Sequence, residues 1–386
     1  MSRAGVRWLL IAVAVVLNGL PLLRSGGRDA PPAPAFELPI QTPAASATPV
    51  FREEFINPDS PLAMSHVASL CELPDGRLAG VWYAGSREGA RDVALRFATQ
   101  PPGQSGWSKP RPILTPGLAA CDLKRGIRKV GNPVIFSDAV GKLWLLYVTI
   151  NLGGWSGSSL NLTTSKDGGI SWEPSRRLTL SPFFNVSELV RGRPVPVSDG
   201  SWLVPIYHEL VGKFPELLSL RESAGELYAT KSRIAGGRSG FQPSLAPLSA
   251  NSALAFLRDC SPRRRISLAR TDDAGQTWSP PQALDLPNPD SGLAALRLTD
   301  GRVLLAFNDS AAGRENLRLA VSEDEGRTWK RLATLAEEPR AEFSYPFMIQ
   351  AREGNLHLVY TWKRKAIKHV VFNVAWLNAR SSGTSP

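Results

Sequence analysis

The sequence predicts an all-β chain folded as a six-bladed β-propeller. Three observations lead there. Eleven Trp, 33 Gly and 32 Pro in 386 residues describe many short strands joined by tight turns. A unit of turn, apolar strand and polar end recurs six times. An Asp-centred motif recurs three times at a fixed place behind that unit.

The six units read LPDGRLAGVWYAG (73–85), SDAVGKLWLLYVT (137–149), VSDGSWLVPIYHE (197–209), LSANSALAFLRD (248–259), LTDGRVLLAFND (298–309) and AREGNLHLVYTW (351–362). From Gly76 through Gly141, Gly200, Asn251 and Gly301 to Gly354 the steps run from 50 to 65 residues. A period of this length belongs to propellers and solenoids. Four strands of about five to six residues, with their turns, fill it.

The Asp motif is [Ser/Thr]-x-Asp-x-Gly-x-[Ser/Thr]-Trp, read as SKDGGISW (165–172), TDDAGQTW (271–278) and SEDEGRTW (322–329). Each copy follows a strand (SSLNLTT, RRISLAR, NLRLAVS) and precedes a W-x-x-x-x-x-L segment. That order puts it at the hairpin between the third and fourth strands of a blade. There Asp167, Asp273 and Asp324 accept hydrogen bonds from turn N–H groups, Gly supplies positive φ, and Trp packs between sheets. The spacing of a calcium EF-hand loop is absent, so the motif reads as scaffold. A degenerate copy, TQPPGQSGWSKPRPIL, holds Trp107 and serves the first blade. The ring closes if PVFREEFI (49–56) supplies the fourth strand of blade six beside HVVFNVAWL (369–377).

Ahead of the propeller, Arg3 and Arg7 precede the 16-residue apolar run WLLIAVAVVLNGLPLL (8–23). A positive start followed by an apolar stretch is an export pattern. Residues 1–24 are expected to act as a cleaved signal or an uncleaved inner-membrane anchor, with the propeller periplasmic or secreted. Residues 25–49, with six Pro and six Ala, read as an extended spacer. Residues 50–379 form the propeller and 380–386 a disordered tail. Cys71, Cys121 and Cys260 are widely spaced without a CxxC and read as buried thiols. The four His form no metal-ligand pattern, and neither metal nor cofactor is expected. A net charge of +11 calls for an acidic partner. For an exported monomer that is an anionic glycan, not a nucleic acid.

The first two strands of a blade form a hairpin. The start of the first and the end of the second therefore share a face, opposite the DG turns. This rule gathers a polar ring. Blade one gives His66, Arg87, Glu88 and Asp92, blade two Lys129, Asn132 and Asn151, and blade three Glu188, Arg191, Arg193, His208 and Glu209. Blade four gives Gln242, Arg258 and Asp259, blade five Asp290, Asn308, Asp309 and Arg314, and blade six Glu342, Tyr345, Trp362, Lys363 and Arg364. Strand ends are polar in any propeller, so each of these also reads as a solvated rim residue. The convergence of six blades is what points to a pocket. Its arginines and carboxylates suit bidentate binding of an acidic sugar and its cleavage by acid catalysis.

Together with the Asp boxes, SHVASLCELPDGRLAGVWYAGSREGARD, PIYHE and FSYPFMIQAREGNLHLVYTWKRKAIKHV resemble the sialidase superfamily. The likeness is to bacterial sialidase-like proteins with BNR (Asp-box) repeats and covers about residues 51–379. It implies three arginines for a substrate carboxylate, a Tyr nucleophile activated by a Glu, and an Asp acid/base. It assigns the acid/base to Asp92, the nucleophile to Tyr345 and two of the arginines to Arg258 and Arg314. Three positions depart. His66 stands where the first arginine is expected, Gln242 at the Tyr-activating Glu, and Trp362 at the Glu supporting the first arginine. Glu209 is the candidate replacement base, with His208 and His66 as alternatives. The substrate-binding candidates are Arg258, Arg314, His66, Gln242, Arg87, His208, Lys129 and Trp362. The implied activity is an exo-glycosidase releasing terminal sialic acid or a related acidic sugar. A uronate-directed hydrolase or lyase, and a glycan-binding protein without turnover, stay open.

Overall fold

A computed structural model describes residues 34–38, 48–58, 60–181, 185–234 and 236–381. The expected signal or anchor, most of the spacer and residues 382–386 lie outside the described residues. Every strand among the described residues lies in the unit Ala35–Pro386. Among the described residues no helix is long and apolar enough to cross a membrane.

Six antiparallel sheets make six blades. The innermost strands of blades one, two, four, five and six are Met64–Glu72, Lys129–Ser137, Gly240–Pro247, Ala294–Arg297 and Phe343–Gln350. In blade three that strand is broken into Leu189–Val190 and Val195–Pro196. Continuous apolar runs such as LWLLYVTI (Leu143–Ile150) form second strands that are buried along their whole length, as strands covered on both faces require.

Each blade carries one non-glycine residue in the left-handed region at or just before its innermost strand. These are Val67 (φ 48°), Asn132 (46°), Ser187 (64°), Gln242 (49°), Asp290 (59°) and Tyr345 (54°). In blades one, two, four and six the pairing with the second strand slips there, between His66 and Ser69, Gly131 and Val134, Phe241 and Ser244, and Ser344 and Phe347. These are β-bulges, which bend a strand and re-aim a side chain. Pro133, Pro243 and Pro346 follow three of the left-handed residues. Proline has no N–H to leave unpaired at the slip. The neighbouring blade secures the bulge: Ser69 Oγ accepts from Ile135 N at 3.0 Å, and Ser244 Oγ from Ala295 N at 2.8 Å.

The Asp boxes are turns, as expected. Asp273 accepts from the Thr271 hydroxyl (2.8 Å), the Thr277 amide (2.9 Å) and the Thr277 hydroxyl (2.5 Å). Asp167 and Asp324 repeat the pattern on Ser165 and Ser171, and on Ser322 and Thr328. The box tryptophans Trp278 and Trp329 donate to Gly275 O and Gly326 O. Trp172 and Trp329 meet Phe97 and Phe256 of the preceding blade edge-on, at 5.9 and 5.6 Å. Ala274 N bonds to Asn251 O in the blade-four turn, so this box lies on the turn face.

The strand Phe51–Phe55 pairs with Ala366–Phe372, from Phe51↔Phe372 to Phe55↔Lys368, and completes blade six. Glu54 on this strand accepts from Gln100 Nε2 (2.5 Å) and Gly106 N (2.8 Å) of blade one. Burial works to raise its pKa, but these bonds and His369 outweigh it and hold it at about 2. Trp107, in the degenerate box, donates to His369 at 3.2 Å across the same seam.

Three expectations are corrected. The last strand stops at Phe372, and Val374–Ser381 is a helix. Asn373 Oδ1 accepts from Trp376 N at 2.9 Å, a cap that starts a helix. Arg380 and Ser381, expected in the tail, finish it. Within the spacer, Phe36 is 3% exposed and donates its N–H to Ala250 O at 2.7 Å, so Ala35–Leu38 docks on blades three and four. Phe36, the first large apolar residue of that Pro/Ala segment, is its anchor. All three cysteines are free, but only Cys71 is buried; Cys121 is exposed.

Asp273→Ala removes one acceptor of three hydrogen bonds on the face away from Tyr345. A loss of about 1 kcal/mol should lower Tm by about 1–2 °C in scanning fluorimetry and leave ligand binding at the ring unchanged. An unchanged Tm with lost binding would contradict the scaffold role.

Candidate functional site

The left-handed positions lie on the face opposite the DG turns, and Tyr345 is the centre of the site. It is half-buried. The His66 ring meets it edge-on at 5.0 Å. The guanidiniums of Arg191 and Arg314 lie over its ring at 5.2 and 5.5 Å. Gly292 makes the room: a Cβ there would stand 3.0 Å from both Tyr345 Cδ1 and Arg191 Nε. Among the described residues the Tyr345 hydroxyl has no hydrogen-bond partner.

Around Tyr345 a chain of polar contacts passes through all six blades. The Asn132 and Gln242 amides both donate to the Tyr207 hydroxyl at 3.1 Å. Gln242 Oε1 accepts from Arg258 at 3.1 Å, and Arg258 Nε donates to Asp290 at 2.6 Å. Arg314 donates to Asp290 O at 2.9 Å and to Glu342 at 3.3 Å. Arg364 bonds Glu342 at 2.6 Å and Glu88 at 2.5 Å, and Tyr83 reaches Glu88 at 3.5 Å. Arg191 is buried and donates to Pro346 O (2.6 Å) and Leu293 O (3.3 Å). It has no carboxylate partner among the described residues, so the guanidiniums Arg191, Arg258, Arg314 and Arg364 outnumber the carboxylates Glu88, Asp290 and Glu342.

The electrostatics follow from burial and pairing. Burial works to raise the Glu342 carboxyl, but Arg364 and Ser344 outweigh it and hold it at about 2. Burial pushes His66 down to about 3, so the ring is neutral and supplies no cation in place of an arginine. Burial lowers Arg191 to about 10, which leaves it charged at neutral pH. Burial raises Glu209, with Lys213 and Arg258 pulling it down and Asp290 pushing it up. The Ser86 hydroxyl and amide hold the exposed Asp92 below its ordinary range, from 2.9 Å each.

The structure thus gathers Tyr345, Arg258, Arg314 and Gln242 in one ring, with Glu209 beside Arg258. Asp92 instead folds onto its own loop. His66 lies wholly buried under Tyr345, its Nδ1 3.0 Å from the Thr361 hydroxyl, where no ligand touches it. His208 stacks on Phe214 at 4.7 Å, and Trp362 turns to Phe55 at 5.2 Å. Both face away from the ring. Arg87 is exposed, and Lys129 Nζ stands 3.3 Å from the place of a Cβ on Gly89. Arg191, Arg364, Glu88, Asp290 and Glu342 were members of the strand-end ring without an assigned role. Tyr207 was missed, although the pleat of Trp202–His208 places it on the opposite face from His208.

Residues 76–358 match the family described as BNR repeat-like domain. No curated protein matches the chain in sequence. Among solved structures, a protein of unknown function from Dyadobacter fermentans is similar at 15% identity and TM-score 0.68, over 84% of this chain and 99% of that one. A Hadza microbial sialidase is similar at 18% identity and TM-score 0.65, over 81% of this chain and 66% of that one. A leech intramolecular trans-sialidase, complexed with 2,7-anhydro-Neu5Ac, is similar at 13% identity and TM-score 0.66, over 86% and 70%. At these identities the likeness is one of fold.

The raised Glu209 carries a stability prediction with a definite sign. A carboxyl whose folded pKa lies above its unfolded value stabilises the fold below the unfolded value, about 4.3. That contribution is lost as pH rises through the folded value. Once ionised, the partly buried Glu209 is therefore a liability. Glu209→Gln should melt above the native protein at pH 7, with the gap closing below about pH 4. A lower Tm at pH 7 would instead mark Glu209 as half of a structural ion pair.

Proposed function

From the premise that this chain belongs to the BNR repeat-like domain family, we propose that it is a sialidase-type exo-glycosidase that releases a terminal acidic sugar from a glycan. The observation that carries this reading is Tyr345: its hydroxyl is unengaged among the described residues, and two guanidiniums lie over its ring. A sugar carboxylate would pair with Arg258, Arg314 and Arg364. Asp290, Glu342 and Glu88 already hold these side chains in fixed orientations while leaving N–H groups for a ligand. Arg364 thereby makes good the arginine missing at His66.

The Tyr345 oxygen would attack the anomeric carbon as the bond to the leaving-group oxygen breaks. The departing oxygen takes a proton from the acid and the Tyr345 hydroxyl proton passes to solvent, giving a glycosyl-enzyme. Water then cleaves this intermediate, returning a proton to Tyr345 and releasing the sugar with retention. A neutral attacker suits an anomeric centre that bears a carboxylate. Arg191 and Arg314 are preorganised positive charges beside the oxygen whose charge changes. The resemblance assigns the leaving-group proton to Asp92, but the electrostatics favour Glu209. Burial keeps Glu209 protonated to higher pH, whereas Ser86 favours the ionised form of Asp92. Export through residues 1–24 would bring the chain to such glycans; Arg3, Arg7 and the apolar run 8–23 support that part.

A specific observation favours a second reading, binding without turnover. Gln242 stands where a base for Tyr345 is expected, and it is engaged with Tyr207 and Arg258. The uronate-directed alternative is not favoured, because His66 is wholly buried beneath Tyr345 and His208 stacks on Phe214, so neither imidazole is presented to a ligand.

The test uses 3′-sialyllactose, with calorimetry for binding and chromatography for released sugar. Tyr345→Phe should keep binding and lose turnover. Arg258→Ala should weaken binding about 10- to 100-fold, as expected for a charge-assisted bond worth about 1.5–3 kcal/mol. Glu209→Gln losing turnover while Asp92→Asn keeps it would assign the proton donor to Glu209. Full hydrolysis by Tyr345→Phe would exclude the tyrosine mechanism. Tight binding with no product from the native protein would establish the second reading.

A further inference from the structure

On the DG-turn face the six innermost strands end around a cavity of about 720 Å³. That volume is typical of a small-ligand pocket. It lies at the other end of the axis from Tyr345. The strand that begins near His66 reaches it at Leu70 and Cys71, and the strand that holds Tyr345 near its start reaches it at Ile349 and Gln350. Leu70, Ile135, Val195, Trp202 and Leu296 make much of the wall apolar.

Arg193 opens into this cavity without a hydrogen-bond or ion-pair partner among the described residues, and its Nε is buried. Burial pushes its pKa down to about 10, so it keeps its charge at neutral pH. Arg297, from blade five, also lines the cavity and has no side-chain partner among the described residues. The other charged wall residues are engaged or lie at the rim. Arg352 binds Glu72 (3.2 Å), and Asp138 accepts from Val140 N, Lys142 N and Trp144 Nε1. Glu37 is exposed on the docked N-terminal segment.

Gly192 fixes the geometry. A Cβ there would stand 2.4 Å from Pro243 O and 2.5 Å from Pro205 Cβ, so the backbone is pinned against both. The tripeptide Arg191-Gly192-Arg193 therefore sends one cation to Tyr345 and the next into the cavity. An unpaired cation against apolar walls is unfavourable for the fold. Its physical use is to meet an anion that arrives from solution.

We propose that the cavity is a second binding site, distinct from the Tyr345 ring, for a small organic anion: a carboxylate or a phosphate monoester on an apolar body. The charged end pairs with Arg193 and Arg297, and the body lies against Trp202, Leu296 and Ile349.

The experiment is thermal melting of the full chain with benzoate and with phenyl phosphate at millimolar concentration. At least one should raise the native Tm by about 2 °C or more. The larger shift identifies the preferred charged group. Arg193→Met should abolish the shift and, without ligand, melt at or above the native protein, because an apolar side chain of similar length replaces an unpaired charge. Arg258→Ala, altered at the other face, should keep the shift. Arg297→Gln should shrink it, which gives a reading even if Arg193→Met does not fold. The proposal is overturned if neither anion shifts the native protein, or if the shift survives Arg193→Met or, where that variant does not fold, Arg297→Gln. It is equally overturned if Arg258→Ala removes the shift.

Discussion

One left-handed, non-glycine residue per blade is the constraint on which this molecule depends. Such a conformation costs about 1–3 kcal/mol at each position, and for Val67, a β-branched residue, it is a marked outlier. The cost is met between blades. Val67 N donates to the Thr361 hydroxyl at 3.0 Å, so blade six holds the bulge of blade one. Ser69 and Ser244 likewise tie the bulged strands of blades one and four to the innermost strands of blades two and five. The strain at the axis and the cohesion of the ring are thus the same set of contacts.

The bulges also account for the site. A regular strand would carry its side chains past the axis in strict alternation. The extra residue breaks that alternation at the strand start and brings Asn132, Gln242 and Tyr345 to one level. Polar groups so concentrated must satisfy one another, and they do so in sequence from Tyr207 to Glu88. Asp290 and Glu342 each serve two arginines, which fixes guanidinium orientation before any ligand arrives.

The six-unit period and the Asp boxes were legible because both are local: a turn, a strand and a capped hairpin are written in consecutive residues. The ring was legible as a set of strand ends, which already included Arg364 and Glu342. What the sequence did not disclose was parity. His208 and Trp362 were chosen at strand ends where the pleat turns Tyr207 and Thr361 inward, an offset of one residue in both cases. Such an offset sends a side chain to the opposite face, and only the tertiary register decides it. The meeting of His66 and Arg364 was hidden for a related reason, since the two lie at opposite ends of the chain and come together only after closure. The terminal helix was missed because HVVFNVAWL is mostly apolar, and an apolar run alone does not separate strand from helix. The Asn373 cap is the signal that does.

Closure has a consequence in time. Glu54 and His369, paired in the seam of blade six, are 315 residues apart in the chain. The strand that locks the ring is made before any complete blade and waits for its partner until blade six is made. Contacts of such long separation form late, after the entropy of a long loop has been given up. Blades one to five can assemble on neighbours already made, whereas the ring as a whole stays open until the last strand arrives.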